Sequence, residues 1–276
     1  MRIVAVGECT LDRYLDLSLE RVGGISLNFA VQARRSGAAH VALVSCTGRD
    51  RGAVAVRERL VQEGVDGTHC HAQDGATASQ AIRLAAGGER IFPPGGYDPG
   101  VLATYHLTDA DLRFIGTHDV VAVPFFRQIE HLFWPAVRAV APGATRVADL
   151  LDGGDLGPGD AALDQLLPEL DLVFLSAGEE VAAELLPRTR TGHTLIVVTH
   201  GAQGSSALKD GHHYRLPATM VPPHACLDST GCGDAYQAAF TVEYLLHGSV
   251  ESAMRKGADR AAQVIRHVGA TEAPAE

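Results

Sequence analysis

The sequence predicts an α/β fold, a mostly parallel central sheet wrapped by helices, on three observations. Short β-branched apolar runs alternate with longer amphipathic segments, glycine closes several of those segments, and the chain after Asp228 is helical almost to its end. In order, Ile3–Val6 is the first strand, and Tyr14–Val22 is an extended segment close behind it. Asn28–Ser36 reads as a helix stopped by Gly37, Val41–Ser45 as a strand, and Gly52–Glu63 as a helix stopped by Gly64. Ala76–Ala85 and Glu89–Phe92 flank Gly87 and Gly88 as the two arms of a hairpin. A hairpin that interrupts a strand–helix series is expected to stand outside the main sheet, here as a small lid. The prolines and glycines of "IFPPGGYDPG", residues 91–100, then prevent regular structure.

Strands follow at Val120–Val123, Arg146–Ala148, Leu172–Leu175 and Leu195–Thr199, separated by helices at Gln128–Val140, Ala161–Leu167 and Glu179–Leu186. Ser205–Leu208 and His213–Leu216 form a second hairpin around Asp210 and Gly211. With no internal repeat or clear linker, residues 1–276 read as a single domain with lid segments near 13–22 and 76–92.

Composition narrows the function. The 276 residues are 46% hydrophobic and 20% charged, ordinary for a globular protein, and the net charge of -10 argues against nucleic acid as a partner. A small anionic ligand stays open, because backbone N–H groups bind phosphate without net positive charge. No run approaches the roughly 18 apolar residues of a membrane span, and the start lacks a signal peptide's apolar centre, so a cytoplasmic protein without membrane contact is expected. The five cysteines are scattered without a CxxC pair, which favours neither a zinc site nor a disulfide framework.

The chemistry concentrates in "DSTGCGDAYQAAF", Asp228 to Phe240. Helix-entry residue types lead into two glycines, a carboxylate, and then apolar residues at helical spacing. A helix's first N–H groups lack internal partners and carry partial positive charge. With Gly231 and Gly233 bare, an anionic oxygen could approach them, and Asp234 is placed to accept a proton from an attacking hydroxyl. The plainer alternative is that Asp234 only stabilises the helix end. A second glycine pair opens "GGISLNFA", where Gly23 and Gly24 precede a helix carrying Asn28 in its first turn. Upstream, "GECTLDRY" places Asp12 at the C-terminal end of the first strand, where ligands bind in open α/β sheets.

The pairing of an early GG-x-x-x-N with a late D-[ST]-x-G-x-G-D resembles the ribokinase, or PfkB-type, carbohydrate kinase family, over nearly the whole chain including the lid and "VVTHGAQGSSAL". The resemblance implies a ribokinase-like three-layer αβα sandwich with a small β lid. It also implies an ATP-dependent transfer of the γ-phosphoryl group to a sugar hydroxyl. By the same resemblance Asp234 is the catalytic base and Gly231, Cys232 and Gly233 are the anion hole. Asp12, Gly24 and Asn28 hold sugar hydroxyls, with Gly23 shaping the turn. Thr199, Gly201 and Gly204 contact ATP, Glu179 helps organise Mg²⁺, and Asp228 and Thr230 fall where many relatives bind a monovalent cation such as K⁺.

Short length and a compressed first lid segment look most like the fructoselysine 6-kinase branch, which implies a fructosamine such as fructoselysine phosphorylated at O6. Another sugar, a sugar acid, a nucleoside, and a non-catalytic binding homologue remain alternatives. Exposed lid-strand edges offer a homodimer surface. A nicotinamide oxidoreductase is excluded, because "VGECTLD" stands where G-x-G-x-x-G would follow the first strand.

Four features stay open at this level. Cys232 replaces the family's usual alanine, as a neutral swap or as an oxidation-sensitive thiol of lowered pKa. Ser176 replaces the asparagine of the magnesium-associated N-x-x-E. Arg83 and Arg90 either hold a substrate anion or are exposed strand charges. In "THCHA" both His69 and His71 share one strand face, but two nitrogens are too few for a closed metal site without distant help, so a solvated face is expected.

Overall fold

In the computed structural model, which describes residues 1–152 and 161–272, strand β1 (Arg2–Val6) is buried on both sides. Ile3 and Ala5 face one apolar cluster and Val4 and Val6 the other, as a strand covered by two helical layers requires. The chain continues through β2 (Thr10–Tyr14), β3 (Leu19–Gly23), α1 (Ile25–Arg35), β4 (His40–Thr47), α2 (Arg51–Glu63), β5 (Cys70–Ala72), β6 (Ser79–Leu84), β7 (Arg90–Ile91) and β8 (Tyr97–Asp98). Then come α3 (Asp109–Ile115), β9 (Val120–Pro124), α4 (Glu130–Ala139), β10 (Thr145–Asp149), α5 (Ala161–Leu166), β11 (Leu172–Ser176) and α6 (Glu179–Leu185). The last elements are β12 (Leu195–Thr199), β13 (Ser205–Lys209), β14 (His212–Leu216), α7 (Cys232–His247) and α8 (Val250–Val264).

The main sheet has the order β14-β13-β12-β11-β10-β9-β1-β4-β5 and is parallel from β12 to β5. Leu27 and Val31 of α1, Val56 and Leu60 of α2, Phe240 of α7 and Met254 of α8 cover one face. Ile115 of α3, Phe133 and Val137 of α4, Leu166 of α5 and Leu185 of α6 cover the other. The result is the three-layer αβα sandwich.

The second sheet has the order β3-β2-β6-β7, with β8 also pairing β6. The predicted Gly87–Gly88 hairpin is present, both glycines having positive φ. Three expectations need correction. Tyr14–Val22 is not one extended segment: Tyr14 ends β2, a turn follows, and β3 returns antiparallel from Leu19. Asp12 is not at the end of the first strand: β1 stops at Val6, and Asp12 lies within β2, a separate strand of the second sheet. The 91–100 segment is not wholly irregular, because Tyr97 and Asp98 pair with Gln80 and Ser79.

Helix α2 ties the two sheets together. Its cap residue Asp50 accepts hydrogen bonds from the Ala53 N–H (3.1 Å), the Thr77 N–H (2.8 Å) and the Thr77 hydroxyl (2.6 Å). Asp50→Ala removes the cap and orphans Thr77, so it is expected to cost about 2 kcal/mol and lower the melting midpoint by about 4 °C in a calorimetric scan.

Candidate active site

Asp234 sits in the first turn of α7, whose N-terminal residue Gly231 adopts φ 79° and offers no capping side chain. Positive φ suits glycine, and a Cβ there would overlap Ala270, so the fold itself demands Gly231. Gly233 is different: a Cβ on it would meet nothing within 4 Å. Its backbone faces open space, the cradle an approaching anion needs. The Cys232 N–H already bonds the Ser229 carbonyl at 3.2 Å.

Asn28, one turn into α1, donates its Nδ2 to the Asp234 carboxylate at 2.7 Å. The two predicted motifs, far apart in sequence, therefore meet in one hydrogen bond, while Asn28 Oδ1 is buried without a partner among the described residues. Burial and the neighbouring Asp149 push the Asp234 carboxyl up to about 7, against the Asn28 hydrogen bond. Asp12 is buried, accepts the Thr10 hydroxyl at 2.7 Å, and is likewise raised to about 7 by burial. Gly23 leaves room for it, since a Cβ there would overlap the Asp12 carboxylate. Gly24, at φ 100°, brings the α1 entry against the Cys9 backbone, and its carbonyl accepts the Asn28 N–H at 2.8 Å.

Asp228 is fully buried and spoken for. Its oxygens accept the Tyr14 hydroxyl (2.6 Å), the Gly269 N–H (2.9 Å) and the Thr230 N–H (2.8 Å). Thr230 Oγ1 is buried without a partner among the described residues. At the adjoining strand ends, Thr199 closes β12 and bonds Ser176 of β11 hydroxyl to hydroxyl at 2.9 Å. Gly201 (φ 58°) and Gly204 (φ 108°) shape the following turn, and Gly201 opens onto free space. Glu179 begins α6, about half exposed and 3.8 Å from Arg215.

Asp149 and Glu8 join this site without having been assigned to it from the sequence, and Arg90, left open there, takes a defined place. Asp149, buried at the C-terminal end of β10 with its carboxyl pushed up by burial, acts on Asp234. A carboxylate closing the apolar run "RVAD" was the available signal. Glu8 accepts the Ile25 N–H at 3.1 Å and so satisfies the entry of α1. Arg90 donates to the Ser229 carbonyl at 2.9 Å, and its charge lowers the Asp234 carboxyl, whereas Arg83 pairs with Asp16 at the surface. The open question about the two arginines thus resolves differently for each.

Cys232 lacks the lowered pKa of an activated thiol: burial pushes it up to about 12 against the charge of Arg90. The His69–His71 face is more than a solvated strand face: both rings bond the buried Asp111, while His71 stays partly open to solvent.

Among the described residues no helix is long and apolar enough to cross a membrane. Residues 162–276 match the sequence profile described as pfkB family carbohydrate kinase. The fructoselysine 6-kinase of Shigella flexneri is 28% identical over 271 residues, covering 97% of this chain and 98% of that one. An adenosine kinase structure from Sinorhizobium meliloti superposes with a TM-score of 0.84 at 18% identity, over 98% of this chain and 95% of that one. The Arabidopsis thaliana ribokinase solved with ribose and ATP gives 0.78 at 19% identity, over 98% and 94%. The chain therefore has a ribokinase-like fold, its residues 162–276 match the pfkB carbohydrate kinase family, and over nearly its whole length it is similar to a named sugar kinase.

Proposed function

We propose that the protein is an ATP-dependent fructosamine kinase, acting on the O6 hydroxyl of a compound such as fructoselysine, with residues 1–276 forming one kinase domain closed by the five-stranded lid. The observation that carries the reading is Asp234 at the open mouth of α7, bonded to Asn28, with Gly233 uncovered. Asp234 takes the proton from the acceptor hydroxyl as that oxygen attacks the γ-phosphorus of ATP. The Gly233 amide, with that of the cap residue Gly231, faces the charge that develops on the transferred group, while the Cys232 N–H, held by the Ser229 carbonyl, keeps the turn in shape. Thr199, Gly201 and Gly204 bind the nucleotide, and Asp12, Gly24 and Asn28 hold the sugar, with Asn28 Oδ1 free for a substrate hydroxyl.

Hard oxygen donors at Glu179 and Asp149 fit Mg²⁺, which when bound offsets phosphate charge. Thr230 Oγ1, unpaired and beside Asp228, fits a monovalent cation such as K⁺. The lid carries exposed Leu15, Leu17, Ile91 and Phe92, which supports a homodimer through that sheet.

The charge of the site supports the substrate class. Glu8 and Asp234 act on Asp12, and Asp149 and Glu8 act on Asp234, a concentration of acids that disfavours a sugar phosphate and suits the ammonium group of a fructosamine. The relative named for fructoselysine supports the same choice. The test is the specificity constant over a panel of fructosamines, free sugars, sugar acids, sugar phosphates and nucleosides. A preference of about 100-fold or more for fructosamines is expected, and preference for another class would replace the substrate half of the reading.

The base must be ionised to work, so kcat/KM is expected to rise with pH through about 7. Asn28 donates to the charged form of Asp234, so Asn28→Ala removes a contact that lowers its pKa. The acid limb of the pH–rate profile should then move to higher pH. A limb that stays in place would show that Asp234 does not set it.

A further inference from the structure

On the edge of the main sheet away from β14, three side chains converge that the kinase chemistry does not use. His69 Nδ1 lies 2.6 Å, and His71 Nε2 2.8 Å, from the same oxygen of Asp111, Oδ1. The three ligand atoms lie within 4.8 Å of one another. Asp111, which stands in the first turn of α3, is fully buried, while the His71 side chain is 37% exposed and opens the cluster to solvent.

The surroundings hold each group in place. The other oxygen of Asp111 accepts the Tyr105 hydroxyl (2.7 Å), the Thr108 N–H (2.8 Å) and the Thr108 hydroxyl (2.7 Å), which leaves Oδ1 aimed at the histidines. The His69 ring stacks on Phe114 with centroids 4.0 Å apart. Both histidine carbonyls are pinned by β4, His69 by the Ser45 N–H at 3.2 Å and His71 by the Thr47 hydroxyl at 3.3 Å. Cys70, between them, packs with the apolar cluster that holds Cys9.

From this geometry we propose a site for a divalent transition metal of the zinc class, with His69, His71 and Asp111 as its three protein ligands and solvent in the open position beside His71. Two imidazoles and one carboxylate are a zinc-type donor set, and the hydrogen-bonded oxygen Oδ2 supplies the outer support such ligands carry. Donor atoms around tetrahedral zinc lie about 3.3 Å apart, so the metal would replace the two N–H···O contacts of 2.6 and 2.8 Å by opening each, with the two ring nitrogens, within 4.8 Å of each other, settling to the same separation. The ion would tie edge strand β5 to helix α3.

The test is a Zn²⁺ and Co²⁺ titration of the chelator-treated full chain without nucleotide, beside His71→Gln and His69→Gln, with Mg²⁺ as the control. The parent is expected to take up one equivalent of Zn²⁺, to show Co²⁺ d–d bands without a thiolate charge-transfer band, and to gain about 5 °C in melting midpoint. Each variant should bind about 100-fold more weakly and lose that gain. No uptake by the parent would overturn the proposal, and would leave the three residues as a hydrogen-bonded cluster. Uptake that both variants retain, or a thiolate band, would overturn it as well. Because the parent titration decides on its own, a variant that fails to fold does not rescue the idea.

Discussion

Asp234→Asn is expected to lower kcat by about 10³-fold while leaving the fold and nucleotide binding intact. Asparagine keeps the shape of the carboxylate and can still pair with Asn28 through its own amide, so the 2.7 Å contact between the two side chains need not be lost. What disappears is the basic oxygen. The variant should melt no lower than the parent, since burying an ionisable group beside Asp149 is unfavourable and its removal relieves that repulsion. Single-turnover kinetics with saturating ATP separates loss of the chemical step from loss of binding. If the variant kept parental turnover, Asp234 would be reduced to a helix-end residue, the plainer reading of its motif.

The second large effect distinguishes two glycines that look alike in sequence. Gly231→Ala places a Cβ at φ 79° and against Ala270, so both strain and overlap oppose it. It is expected to destabilise the fold by about 3 kcal/mol and lower the melting midpoint by about 6 °C. Gly233→Ala meets nothing within 4 Å and should leave the midpoint nearly unchanged. Its methyl group fills the space the transferred phosphate needs, so turnover should fall by about 10²-fold. A calorimetric scan and a turnover assay on the pair suffice. Equal stability losses, or full activity in Gly233→Ala, would contradict the anion-hole assignment.

The layered sandwich was legible because the central strands β1, β4, β9, β11 and β12 are apolar, β-branched-rich runs and the helices between them carry apolar faces at helical spacing. Gly64, in the left-handed conformation, stops α2 where its position predicts. The lid was half legible. Its β6–β7 hairpin is marked by Gly87 and Gly88, but β2 follows β1 after only three residues, with the lone Gly7 as the break, so Asp12 was assigned to the wrong sheet. Helix α3 was missed because it has only seven residues, although Thr108 and Asp111 form a capping box.

Within the site, the motif residues could be named from the chain, but their pairing could not. Asn28 and Asp234 are 206 positions apart, and only the packing of α1 beside α7 brings them together. Asp149 and Arg90 enter for the same reason, one at a strand end and one on a lid strand. The His69–His71 face also needed distant help, and Asp111 supplies it from 40 residues beyond His71.

The most direct test of the central claim is phosphorus NMR on the product formed by the full chain with ATP, Mg²⁺ and fructoselysine. In a fructosamine the nitrogen occupies C1, so O6 is the remaining primary hydroxyl. The account predicts stoichiometric ADP and a phosphate ester split into a triplet by two carbinol protons. A doublet would place the phosphate on a secondary carbon, and inorganic phosphate alone would mean hydrolysis; either result would contradict an Asp234-driven transfer to O6.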